Sequence, residues 1–163
     1  MKHILSVLVE NRAGVLYKVA GMFGRRAFNI ESLVVGITQD PSVSRMTIVV
    51  DGDDNNVEQL TKQLHKLIDV IKIGDISHTA LSRAFAFIKL KSTPVTRYEI
   101  IFLASIIEAK VVDISSDTIT LEISGDEEKL ANTKMLLEKF TILEMVQTGM
   151  VSIEKGNNTL RII

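Results

Sequence analysis

Few residues of this chain have the types and spacing that could do chemistry. They are the three histidines His3, His65 and His78, the carboxylates Asp51, Asp53 and Asp54, and the turn Asn11-Arg12-Ala13-Gly14. The histidines fall on an expected strand, a helix surface and a linker. No two of them have metal-ligand spacing, so they read as solvated or structural, and no metal site is expected. The carboxylates lack the glycine and distal glutamate of a calcium loop and read as a solvated loop that caps the following helix. With no cysteine in the chain, disulfides, thiolate metal sites and a cysteine nucleophile are excluded. There is no phosphate-binding Walker loop, no dinucleotide-binding glycine pattern and no nucleophile elbow. No catalytic residue is expected.

The turn is different in kind. Gly14 stands where a helix begins, and the first N–H groups of a helix have no intrahelical acceptor. Those groups and the helix dipole favour a carboxylate. The missing side chain at Gly14 lets a ligand approach the backbone. Asn11 can accept from an ammonium and donate through its amide. The set suits an amino acid. On physics alone, a turn that merely contains a glycine remains the simpler reading.

The elements that must position this turn follow from periodicity. Lys2 to Val9 alternates as a strand, and Val15, Leu16, Val19, Ala20 and Phe23 form a helical stripe after it. Gly21 and Gly24 either admit another backbone or are simply tolerated. Phe28 to Ile37 and Val43 to Val50 are strands, with Ser44, Met46, Ile48 and Val50 on the core face of the latter. A helix carrying Val57, Leu60, Leu64, Leu67 and Ile68 comes next, with a capping box at Asn55 and Glu58, and Asp69 to Ile76 is a fourth strand. Strand, helix, strand, strand, helix, strand is the ferredoxin-like order.

Residues 77–82 read as a linker, after which the order repeats. Arg83 to Lys91 is a strand with Phe85 and Phe87 on one face. A capping box at Thr96 and Glu99 opens a helix with Ile100, Leu103, Ala104 and Ile107. Val111 to Ser115 and Thr118 to Ser124 form a hairpin. Asp126 caps a helix carrying Leu130, Leu136 and Leu137, and Phe140 to Gln147 closes the repeat before a tail from Met150 to Ile163. The expected fold class is therefore α+β, two consecutive βαββαβ domains over residues 1–76 and 83–163.

Composition narrows the partners. In 163 residues, 46% are hydrophobic and 24% charged, as in a soluble globular protein, and a formal net charge of -1 gives no reason to expect nucleic acid or an anionic membrane. The first half also lacks the sheet aromatics that an RNA-binding ferredoxin-like module stacks on bases. No signal peptide or membrane-spanning run is expected. The absence of cysteine fits a cytoplasmic location.

Val9 to Leu33 resembles the ligand-binding part of ACT domains, which are small amino-acid-sensing modules. Asn11-Arg12-Ala13-Gly14-Val15-Leu16 followed by Phe28-Asn29-Ile30-Glu31-Ser32-Leu33 is similar to the regulatory (small) subunits of acetolactate synthase. Ser44-Arg45-Met46-Thr47-Ile48 and Gln63-Leu64-His65-Lys66-Leu67-Ile68-Asp69-Val70 match the same family. The resemblance is strong over 1–76 and weaker beyond, where Gly149 and Gly156 match family glycines. Ala13 stands where many members carry proline. Ala27 stands where glycine is common, so the loop before Asn29 is expected to be shaped slightly differently.

The resemblance implies a non-catalytic chain that binds and activates a catalytic subunit and confers feedback inhibition, usually by valine, in branched-chain amino-acid synthesis. It implies no cofactor in this chain, with thiamine diphosphate, magnesium and FAD held by the catalytic partner. It implies a homodimer through the ACT domains. Backbone N–H groups near Gly14 and Val15 would hold the effector carboxylate and Asn11 its polar head. Asn29 of the neighbouring subunit would complete the site, with Val15 and Ile30 facing the aliphatic side chain. A free-standing amino-acid sensor is the alternative, and a small enzyme on the same scaffold lacks any acid–base or metal constellation.

Overall fold

The computed structural model describes residues 1–160. Contacts divide the chain into two compact units, Met1–Ser82 with the tail from Met150, and Arg83–Gly149. The sequence reading assigns the tail to the second half. The structure places 150–160 with the first unit instead.

The first unit contains β1 (Lys2–Glu10), α1 (Val15–Gly24), β2 (Ile30–Ile37), β3 (Val43–Asp51), α2 (Asp54–Leu64) and β4 (Val70–Asp75). Its sheet runs β2-β3-β1-β4. All three pairings are antiparallel, with Leu5 opposite Ile48, Val7 opposite Met46 and Ile73, and Leu33 opposite Ile48. This is the ferredoxin-like order expected from the alternation of periods. One face of the sheet contributes Leu5, Val7, Val9, Met46, Ile48 and Val50 to the core. The helices contribute Val15, Val19, Met22 and Phe23 from α1, and Val57, Leu60 and Leu64 from α2. Ser44 is buried on the same face, as its register requires. The helical stripe is narrower than the sequence pattern, because Leu16 is 44% exposed and Ile68 86% exposed. Asp53, not Asn55, caps α2, and its carboxylate accepts from the Asn56 N–H at 2.9 Å.

The segment expected as a linker is fixed in place. Ser77 Oγ accepts from the Ile4 N–H at 2.8 Å, the Thr79 N–H donates to the Ile76 carbonyl, and β5 (Ala80–Lys91) starts three residues earlier than the alternation suggests. In the tail, β9 (Val151–Glu154) pairs with the beginning of β5. Ser152 Oγ lies 2.7 Å from Ser82 Oγ, the Lys155 N–H donates to the Thr79 carbonyl, and the Met150 N–H donates to Ser32 Oγ. The first sheet is consequently buried on its second face too, at Ser6, Leu8, Thr47 and Val49.

The second unit contains α3 (Pro94–Ile106), β6 (Lys110–Ile114), β7 (Thr118–Gly125), α4 (Glu127–Leu137) and β8 (Ile142–Gln147), with the larger part of β5. Its strand order, β6-β7-β5-β8, repeats that of the first unit. Ala84, Ala86, Ile88 and Leu90 of β5 face Ile100 and Ala104 of α3 and Leu130 and Leu137 of α4 across the buried layer. The cap of α3 is Thr93 with Thr96, in a reciprocal box that spans Pro94, rather than Thr96 with Glu99. Proline at the first helical position is compatible with a helix start, so the helix begins a turn earlier than expected. Asp126 caps α4 as expected, but Leu136 points outward and Thr133 takes the buried place. Among the described residues, no helix is long and apolar enough to cross a membrane.

Candidate functional site

The turn between β1 and α1 is held by two bonds from Asn11 to the loop between β2 and β3. The Asn11 N–H donates to the Ser42 carbonyl at 2.7 Å, and Asn11 Nδ2 donates to the Pro41 carbonyl at 2.8 Å. The loop that receives them is itself tied down, because Asp40 Oδ1 accepts from both the N–H and the Oγ of Ser42. These bonds hold the Asp40 carboxyl below its ordinary range. Asn11 thus sits at the surface with its amide nitrogen engaged and its carbonyl oxygen available.

Gly14 precedes α1 with φ 85°, in the left-handed region that glycine enters at little cost, and it provides no side-chain cap. A Cβ placed there would meet nothing within 4 Å, so the glycine serves the backbone angle rather than intrachain packing. The sequence reading puts the open donors at Gly14 and Val15. The Val15 N–H instead points at the Arg12 carbonyl, at a long 3.4 Å. The amides of Leu16 and Tyr17 have no acceptor among the described residues. The anion-attracting end of α1 therefore lies slightly further along the chain than expected. The Val15 side chain is 2% exposed and belongs to the core, so within this chain it does not face a ligand at the surface. Ile30 packs partly against that core at the start of β2, and Asn29 precedes it exposed. Within one chain, Asn11 and Gly14 share a turn, while Asn29 ends the loop after α1 and Ile30 opens β2.

One residue of this region escaped the sequence reading. Asp69, just before β4, has a side chain that is 2% exposed. Its Oδ1 accepts from Arg12, including Nε at 2.9 Å, and its Oδ2 accepts from Lys18 Nζ at 2.7 Å. Its carbonyl also accepts from the Glu10 N–H at 2.9 Å. One carboxylate thereby fastens the turn residue Arg12, the exposed side of α1 at Lys18, and the end of β1. Bonds from Lys18 first, and from Arg12 next, hold this carboxyl below its ordinary range. Its place in the matched segment Gln63 to Val70 was the available signal; its partners lie more than fifty residues away.

The loop leading to Asn29 closes α1 by a specific device. The Phe28 N–H donates to the Phe23 carbonyl and the Ala27 N–H to the Gly24 carbonyl, both at 3.1 Å, with Ala27 at φ 55° between them. This is a Schellman closure with alanine in the left-handed position. Ala27 is held in the left-handed position by these hydrogen bonds and by the packing of Phe28 on the core. Phe28 is seated in turn against Gly52, where a Cβ would come within 2.8 Å of its ring.

The comparisons with known proteins agree with this architecture. Residues 5–72 match the model for the small-subunit-like ACT domain of acetohydroxyacid synthase, and residues 83–156 match the model for the small subunit of acetolactate synthase. A probable acetolactate synthase small subunit of Archaeoglobus fulgidus is 47% identical over 157 residues, covering 96% of this chain and 99% of the relative. The acetolactate synthase small subunit of Mycolicibacterium smegmatis is 47% identical over 155 residues, covering 94% of this chain and 91% of the relative. The crystal structure of the acetolactate synthase small subunit of Thermotoga maritima superposes with a TM-score of 0.90 at 35% identity, covering 97% of this chain and 99% of that one. Its fold is thus α+β with two βαββαβ halves, the first an ACT domain, and the chain belongs to the acetolactate synthase small-subunit family.

Proposed function

We propose that this chain is the non-catalytic regulatory subunit of an acetolactate synthase. It binds and activates a thiamine-diphosphate-dependent catalytic subunit, which holds the magnesium and FAD as well, and it mediates feedback inhibition by valine or a related branched-chain amino acid. The observation that carries the site is the uncapped start of α1. Gly14 is left-handed there, the Leu16 and Tyr17 amides lack acceptors among the described residues, and Asn11 stands beside them. That end of the helix takes the carboxylate of the effector. Asn11 Oδ1 accepts from its ammonium. Asn29 and Ile30 come from a second copy of the chain and close the pocket over the aliphatic group. Burying a valine side chain is worth about 1.5–3 kcal/mol, enough to separate valine from alanine. A pocket shared by two copies couples ligand binding to dimer geometry, and such couplings are about 1–3 kcal/mol.

The test is a reconstitution. The purified chain is combined with an acetolactate synthase catalytic subunit, and acetolactate formation is followed with and without valine. Activation together with inhibition supports the proposal. Valine binding without activation would assign a free-standing sensor, and no effect on either would overturn both. Within the reconstituted complex, Asn29→Ala is expected to weaken inhibition and leave activation intact. Equal loss of both would show that the effector site is not separate.

A further inference from the structure

His3 is the residue that the proposed regulatory role leaves unused. It lies at the start of β1 and is 4% exposed. Its Nδ1 is 2.7 Å from Asp75 Oδ2, at the end of β4. An Nδ1–H that donates to this carboxylate leaves Nε2 as the ring nitrogen open to a further partner. That nitrogen is buried and has no hydrogen-bond partner. It faces a surface depression lined by Asp54, Glu58, Asp75 and His78, with Val57 and Thr61 between them.

We propose that this depression binds a divalent transition-metal ion of the zinc class, with His3 Nε2 as its anchoring ligand. A carboxylate holding the far nitrogen of an imidazole is the usual outer-shell support of a metal-bound histidine, because it fixes both the tautomer and the ring direction. Asp54 Oδ1 lies 3.3 Å from Nε2 without making a hydrogen bond to it. Two ligands at zinc distances and a tetrahedral angle stand about 3.3–3.5 Å apart, so this pair is already spaced as one edge of a coordination tetrahedron. Among the described residues, no three such side chains converge on one point. The remaining ligands are side chains that can move. Asp54 is 77% exposed, Glu58 lies one helical turn further along α2, and His78 is exposed in the turn before β5. Glu58 exchanges its ion pair with Lys62, 2.6 Å away, for the metal. The bound ion ties the first residues of β1 to the start of α2 and the end of β4.

The experiment uses the full chain, dialysed against a chelator and titrated with Zn2+ in competition with a chromophoric chelator, and separately with Co2+ followed by visible absorption. One ion per chain is expected, with the intense bands of tetrahedral cobalt. His3→Gln should abolish binding. Asp54→Asn should weaken it at least tenfold, and Asp75→Asn by about 10–100-fold, as for other outer-shell partners. His65→Gln, at the exposed C-terminal end of α2 and outside the lining of the depression, should bind as the parent does. If His3→Gln fails to fold, the exposed Asp54→Asn variant decides. Absence of saturable one-to-one binding, or equal affinity in the parent and Asp54→Asn chains, would overturn the site and leave His3 as a histidine held between two carboxylates.

Discussion

Gly14 and Asp69 show how much single residues decide in the first unit. At Gly14 the backbone angle and the ligand argument coincide, so a substitution must separate them. Gly14→Asp puts a carboxylate where the effector's own would sit and also pays for the left-handed backbone. Gly14→Asn carries the same shape without charge, and asparagine tolerates that backbone region. Isothermal titration with valine is expected to show binding lost in Gly14→Asp and partly kept in Gly14→Asn; unchanged binding in Gly14→Asp would remove the site from this turn. Asp69 acts through pH. Its folded pKa lies below the unfolded value of about 3.9, so its bonds to Lys18 and Arg12 contribute stability above that value and lose it as pH falls through the folded pKa. Asp69→Asn should lower the urea midpoint at neutral pH and flatten its decline below about pH 4. Parallel acid profiles for the two chains would show that the carboxylate bears no such load. None of this was visible locally: Asp69 reads as the first residue of a strand, and its partners are set by the sheet.

At the scale of elements, the closure of α1 governs where Asn29 and Ile30 stand. The alternation of apolar residues announces a helix followed by a strand, but not the five-residue bridge, 25–29, that joins them. Ala27 holds the left-handed position at a cost, and non-glycine residues in that region bear about 1–3 kcal/mol of strain. Ala27→Gly relieves it and gives back part through greater freedom in the unfolded chain. A net gain of about 0.5–1 kcal/mol is expected from urea unfolding, without change in the position of Asn29; a loss of stability would mean that the alanine methyl is itself packed. The capping residues show the limits of motif reading in another way. Asn55 with Glu58 and Thr96 with Glu99 have the spacing of capping boxes, yet Asp53 and Thr93 start the helices. Several cap-competent residues lie near each start, and spacing alone does not select among them.

At the scale of the whole molecule, the tail is the largest departure from the sequence reading. Its β9 pairs with the beginning of β5, Ser152 is buried against Ser82, and the second face of the first sheet is covered at Ser6, Leu8, Thr47 and Val49. Ending the chain at Gly149 removes those partners. The shortened chain is expected to unfold its first unit at lower denaturant and to bind a hydrophobic dye. Amide hydrogen exchange should report both changes in 1–82 and leave α3 and α4 protected. Uniform loss of protection along the chain would show that the two units do not unfold separately. The second unit presents Phe85 and Phe87 on its open sheet face, with rings edge to face at 4.7 Å. We propose this pair as an apolar contact for a catalytic subunit. Phe87→Ala, in which the truncated side chain is already 39% exposed, should reduce activation in the reconstituted complex with little effect on folding. Full activation would place the contact elsewhere.

The sequence by itself determined the element order, the repeat of βαββαβ and the core faces of the strands. These depend on periodicity and on residues adjacent in the chain. It also marked Asn11, Gly14, Asn29 and Ile30 as one family pattern. Only the tertiary structure decided which amides of α1 lack acceptors, that the Val15 side chain belongs to the core, and that Asp69 fastens the turn. It alone seated the tail against the first unit and brought His3 to Asp54 and Asp75. Each of these depends on pairs of residues about fifty to one hundred positions apart or more, or on the direction of a side chain once the core has filled. Local propensity carries no information about either.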